Sequence, residues 1–423
     1  MASEFKISIS DDAIKHLKQK LELTQLPDEI DEAGWDYGAP LTDIRRLVAR
    51  WKDGYDWRKH EKALNEELPQ FTRDIEVSGG HGTLNVHYVY KKSEAKNAIP
   101  LLFVHGWPGS FIEVRKILPL LTAVEEGQPS FHVVALGLPG YGFSEGAKKK
   151  GFDLTKYGEV GHKLMLSLGY NEYGTSAPHL EPYAASNLRP ILVTQGGDWG
   201  AIITHVMAAT YGGANIKAWH SNMPMGRPPN STSRTSTDVF ASPDENMDYS
   251  PEEKLAFKGR NLYNTKGNGY YMEQSTQPQT IGYSLSDSPV GLLAWIYEKL
   301  VAWTDAYTWD DDEVLTWISI YWFSRSGPAA SVRTYYEVAQ SGGITNLPKV
   351  EGAIPLGCSI FPREIVAMPR SWLTNFNVVL YERHEKGGHF AAHEVPELLV
   401  DDLRKMFGKG GPAYSVVEGK DGY

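Results

Sequence analysis

The sequence predicts an α/β fold: a mostly parallel central sheet with an N-terminal extension and a mainly helical cap inserted into the core. Three observations lead there. From residue 99, short apolar runs that end in Gly-rich loops alternate with helical patterning. Before that point the patterning is largely helical and amphipathic. From about residue 226 to 345, helical, aromatic-rich sequence replaces the strand rhythm. Apolar strands alternating with helices argue for a parallel sheet covered on both faces.

Composition narrows the class. The chain has 423 residues, too many for one ordinary compact domain but enough for a core with additions. Its 41% apolar and 22% charged content is that of a soluble globular protein with a sizeable core. A net charge of −10 argues against nucleic acid as a partner, because phosphate binding needs a basic face. A single cysteine, Cys358, excludes a disulfide scaffold and a cysteine-rich metal site. The polar start, MASEFKISISDDAIKHLKQK, reads as neither a signal peptide nor a membrane anchor, so a cytoplasmic protein is expected.

Residues 1–95 form the expected extension. Ser10 precedes Asp11 and Asp12, and Ile14, Leu17, Leu21 and Leu23 follow at roughly helical spacing, as in a capped amphipathic helix. Helical patterning continues from Leu41 to Leu64, and Thr83 to Tyr90 nearly alternates like a half-buried strand. Residues 96–225 form the first part of the core, with strands expected in IPLLFVHGWPGS, FHVVALGLPGYGFS and ILVTQGGDWG. Helices are expected between them, from Phe111 to Leu121 and from Tyr157 to Leu168. The loops fall at the carboxyl ends of the strands, where such sheets bind ligands.

Residues 226–345 form the expected cap. It opens on a polar hinge, RPPNSTSRTSTDVFASPDEN. Trp295, Tyr297, Trp303, Tyr307, Trp309, Trp317, Tyr321, Trp322 and Phe323 follow; most should pack in the core and the rest should line an apolar pocket. Residues 346–423 return to the core, with strand-like runs at Leu356–Phe361 and Asn377–Tyr381.

The chemistry centres on Gln195-Gly196-Gly197-Asp198-Trp199-Gly200 after ILVT. Small residues surround one reactive side chain on a strand-to-helix turn, as in a nucleophile elbow. A serine attacking an sp³ carbon would leave an ether. An aspartate leaves an ester, which water can cleave with help from an oxyanion hole. Asp198 therefore points to epoxide opening or dehalogenation. The loop His105-Gly106-Trp107-Pro108-Gly109 offers one oxyanion donor, the N–H of Trp107, and the N–H of Trp199 offers the other. In GGHFAAHEVPEL, His389 follows two loop glycines, whereas His393 lies in helical pattern, so His389 is the expected base. Glu364, after the penultimate core strand, is the carboxylate expected to orient it. Asp310, Asp311 and Asp312 read as a solvated acidic loop.

At these residues the chain resembles the microsomal-type epoxide hydrolases, including their soluble fungal and insect juvenile-hormone relatives. HGWPGS, GLPGYGFS, QGGDWG, QPQTIGYSLSDSPVGLLAWI, IFPREI and KGGHFAAHEVPEL carry the resemblance, which spans most of the chain. It implies an α/β-hydrolase fold, no cofactor, and a small apolar epoxide as substrate, with room for a homodimer. It also implies that two cap tyrosines, Tyr270 and Tyr335, protonate the opened ring. Tyr271 and Tyr336 are adjacent, so either register could be off by one.

Two departures stand out. Mammalian members carry an N-terminal membrane anchor; the polar start of this sequence leads us to expect none here. The segment GTSAPHLEPYAASNLRP (174–190) has no family counterpart. It should loop out on the face opposite the elbow, unless it is a translated retained intron. The rival readings are a haloalkane dehalogenase, with Trp107 and Trp199 indoles holding halide, and a non-catalytic ligand-binding protein on the same scaffold. The tyrosine pair and the extension favour the epoxide reading over the first. The complete Asp198, His389 and Glu364 set argues against the second.

Overall fold

A computed structural model describes residues 2–170, 191–228 and 247–423. The segment 174–190 and most of the polar hinge lie outside them. The described residues contain a nine-stranded sheet in the order β1-β2-β3-β5-β4-β6-β7-β8-β9. The strands are β1 (Ser3–Phe5), β2 (Gln70–Val77), β3 (Gly82–Lys91), β4 (Ile99–Val104), β5 (Phe131–Leu136), β6 (Leu192–Gly196), β7 (Ile216–Ser221), β8 (Pro355–Ile360) and β9 (Asn377–Arg383). The pairs from β1 to β3, and β3 with β5, are antiparallel. From β5 through β9 every pair is parallel. β4 is buried along its whole length, as a parallel strand covered on both faces must be.

The extension supplies α1 (Asp11–Glu22), α2 (Leu41–Asp53) and α3 (Trp57–Glu67). Ser10 Oγ caps α1 by accepting from the Ala13 N–H at 3.2 Å. Leu17 and Leu21 are buried, but Leu23 lies past the helix end and is 80% exposed, so it is not part of the apolar stripe. The patterning over 41–64 resolves into two helices broken at Gly54.

The core helices are α4 (Val114–Thr122), α5 (Leu154–Ser167) and α6 (Trp199–Tyr211). Among the described residues six α-helices follow before β8: α7 (Pro251–Leu262), α8 (Gly269–Thr276), α9 (Pro278–Asp287), α10 (Pro289–Ala302), α11 (Asp311–Trp322) and α12 (Arg333–Gln340). α13 (Ala391–Glu394) and α14 (Pro396–Phe407) close the fold.

The acidic run is no solvated loop. Asp310 caps α11 by accepting from the N–H groups of Asp312 and Glu313. Asp312 takes a bidentate pair from Arg50 at 2.8 and 2.9 Å, and Asp311 pairs with Arg46. These contacts tie α2 to α11. Among the described residues no helix is long and apolar enough to cross a membrane.

Candidate active site

The turn from β6 into α6 holds Asp198 at φ 49° and ψ −129°. A non-glycine residue at positive φ persists only where its surroundings impose it. Here they do. A Cβ on Gly196 would sit 2.4 Å from the Gly200 backbone, and one on Gly200 would sit 1.8 Å from the Val104 oxygen. The glycines let the turn press against β4. Asp198 is thereby lifted clear at the positive end of α6.

Asp198 Oδ1 accepts from the Trp107 N–H at 2.7 Å. Asp198 Oδ2 lies 3.2 Å from His389 Nε2, within ion-pair reach. His389 Nδ1 donates to Glu364 Oε1 at 2.8 Å. Backbone contacts hold the two loops together: Arg363 pairs with Gly388, and its N–H donates to the Gly387 oxygen at 3.2 Å. Gly387 has φ 106°, which suits glycine. The His389 N–H donates to the Trp303 oxygen at 2.9 Å.

Burial alone would push His389 towards the neutral form. The charges of Glu364 and Asp198 outweigh burial and raise its pKa to about 10. The other nearby histidines are engaged elsewhere. His384 Nε2 pairs with Asp402 at 2.6 Å and His393 Nε2 with Glu313 at 2.8 Å.

On one side Asp198 faces an apolar chamber lined by Trp199, Met223, Tyr263, Tyr270, Tyr271 and Tyr335, among others. Trp107 stacks on Tyr270 with ring centroids 5.1 Å apart, and Trp199 meets Tyr335 edge-on at 4.7 Å. Burial raises both phenols well above their ordinary pKa, so they stay protonated. The lining includes Tyr335 and not Tyr336, but both Tyr270 and Tyr271. None of the nine cap aromatics from Trp295 to Phe323 lines this chamber. Trp303 instead packs edge-on against His389 at 5.0 Å.

Asp198, His389, Glu364, Trp107, Trp199, Tyr270 and Tyr335 are thus brought to one place. Sequence reasoning missed two neighbours. Tyr263 Oη lies 3.0 Å from Tyr270 Oη, and their seven-residue spacing, about two helical turns, was the available signal. Glu113 is a buried carboxyl beside Asp198, visible in the sequence only as a charge inside FIEVRKIL. No group of three or more His, Cys, Asp or Glu residues that could hold a metal occurs among the described residues.

Comparison with known proteins decides the family. Residues 2–114 match the model described as epoxide hydrolase N terminus, and residues 99–323 match alpha/beta hydrolase fold. Epoxide hydrolase 1 of Sus scrofa is 33% identical over 96% of this chain and 88% of its own. The chain belongs to the epoxide hydrolase family. Two solved epoxide hydrolases share its architecture. That of Aspergillus niger is 32% identical, covers 95% of both chains and superposes with a TM-score of 0.77. The juvenile hormone epoxide hydrolase of Bombyx mori is 27% identical, covers 95% of this chain and 93% of its own, and has a TM-score of 0.81.

Proposed function

We propose that this chain converts small apolar epoxides and water to vicinal diols through a covalent ester on Asp198. The observation that carries this reading is a carboxylate at the elbow opening onto an apolar chamber with two buried phenols. Residues 226–345, helical over much of their described part, serve as the cap that presents them, and residues 1–95 serve as the extension tied to it.

In the first half-reaction an Asp198 oxygen attacks an epoxide carbon and the C–O bond of the ring breaks. The departing alkoxide takes a proton from Tyr270 or Tyr335. Resting His389 is protonated by virtue of two carboxylates. Esterification neutralises one of them, so the imidazolium becomes more acidic and sheds the proton that restores the phenol. His389 is then a neutral base at the moment a base is needed. In the second half-reaction it takes a proton from water, whose oxygen attacks the ester carbonyl. The N–H groups of Trp107 and Trp199 hold the oxyanion. The ester bond breaks, and the diol leaves with a proton returned by His389. Glu364 holds the ring orientation and balances its charge.

One observation favours halide chemistry: Trp199 lines the chamber, and its buried Nε1, beside Tyr335, makes no hydrogen bond of normal geometry among the described residues. A panel of aryl, terminal alkyl and terpenoid epoxides with diol detection, run beside haloalkanes with halide detection, tests both readings. Diol formation abolished by Asp198→Ala is the expected result. Halide release without diol would overturn it.

A further inference from the structure

Asp198 also borders a second, smaller chamber, whose lining includes none of the tyrosines. Glu113, Asn222 and His389 line it, and it has room for about one water molecule. His389 Nε2, buried and without a hydrogen-bond partner among the described residues, belongs to this lining. So does Glu113, whose carboxyl fills the space a Cβ on Gly109 would need, with Oε1 only 1.6 Å from that point. Glycine at 109 is what admits the carboxyl. Burial raises Glu113 to about 8 and nearby Asp198 adds to this, while His389 and the N–H groups of Gly106 and Ser110 pull against it.

We propose that this small chamber holds the hydrolytic water and that Glu113 is the residue that positions it between His389 Nε2 and the carboxyl carbon of Asp198. The inference rests on Asp198 being the nucleophile. A histidine alone fixes one hydrogen bond of a water and leaves it free to rotate about that axis. A second fixed partner turns the oxygen lone pair towards the ester carbon. A protonated carboxyl can accept a hydrogen bond from one O–H of the water at its carbonyl oxygen. His389 takes the proton of the other O–H as the water oxygen bonds to carbon. The ester C–O bond then breaks, and the alkoxide leaves with the proton that His389 returns. The remaining water hydrogen stays on the regenerated Asp198 carboxyl until His389 removes it. Glu113 keeps its own proton throughout. The two chambers therefore bring the organic substrate and the water to Asp198 by separate linings.

The half-reactions separate this role from a structural one. In single-turnover experiments Glu113→Leu should alkylate at the wild-type rate and hydrolyse roughly ten- to a hundredfold more slowly, so that the mass adduct on Asp198 accumulates. Glu113→Gln keeps an acceptor and a donor and should recover most of the hydrolysis. Glu113→Asp withdraws the carboxyl by one methylene and should resemble the leucine variant, which covers the case in which leucine prevents folding. Normal ester formation with unaltered hydrolysis in Glu113→Leu, or in Glu113→Asp if leucine prevents folding, would overturn the assignment. So would an equal loss of both half-reactions in a folded variant. If neither wild type nor His389→Gln ever gains substrate mass, the nucleophile reading itself fails, and the Glu113 assignment falls with it.

Discussion

Glu364 Oε1 lies 2.8 Å from His389 Nδ1, while Glu364 Oε2 is buried with no hydrogen-bond partner among the described residues. One oxygen therefore fixes the ring, and the carboxylate's charge acts through the same contact. Glu364→Gln can keep the hydrogen bond but removes the charge. The variant should slow ester hydrolysis more than alkylation, and stopped-flow separation of the two phases checks it. An unchanged steady-state rate would mean that another carboxylate serves His389.

His389→Gln should form the ester and fail to release it. Intact-mass spectrometry after mixing with a good epoxide should show one substrate mass, localised to the peptide that contains Asp198. A stoichiometric burst of epoxide loss should persist as turnover collapses. Normal turnover would transfer the role to His393 or His384, although both already pair with carboxylates.

The pKa of His389, raised to about 10, has a consequence for stability. A folded-state value above the unfolded one, near 6.5, stabilises the fold fully below about pH 6.5. That contribution falls as pH rises and is gone above about pH 10. The stability advantage of wild type over His389→Gln, read from denaturant midpoints, should therefore shrink from pH 6.5 to 10. A difference that stays flat across this window would show that the resting imidazole is not held protonated.

The tyrosines separate epoxide from halide chemistry. Tyr270→Phe or Tyr335→Phe should slow alkylation by up to roughly 10²-fold, since one phenol partly covers for the other. The double variant should be nearly inactive towards epoxides. Wild-type alkylation in the double variant would remove both from the mechanism. Tyr263→Phe takes away the 3.0 Å partner of Tyr270 Oη and should have a smaller effect on the same phase.

Much of this was legible in the sequence, for reasons that differ by residue. Asp198, Trp107 and Trp199 sit in contiguous motifs whose glycines answer to local sterics. Glu364 and His389 could be placed because each follows a core strand. Tyr270 and Tyr335 came only through family resemblance, since an isolated tyrosine in a helix looks like packing. β1 and β2 escaped notice because SEF and QFTRDIEV are polar and part of their burial comes from later elements. The aromatics from Trp295 to Phe323 misled in the other direction. Being aromatic does not say whether a ring faces substrate or supports the residues that do, and Trp303 does the latter behind His389.

The tie between Arg50 and Asp312 spans 262 positions of the chain. During synthesis the first three helices leave the ribosome long before their partners in α11 exist. They must wait, partly unpartnered, while most of the sheet is made. These three helices are thus synthesised well before α11 and are among the last elements to gain their full set of contacts. Such long-range closure slows folding and prolongs exposure of apolar surface. Chaperone supply and growth temperature should therefore govern the yield of active protein in a heterologous host more than codon choice near the start of the gene.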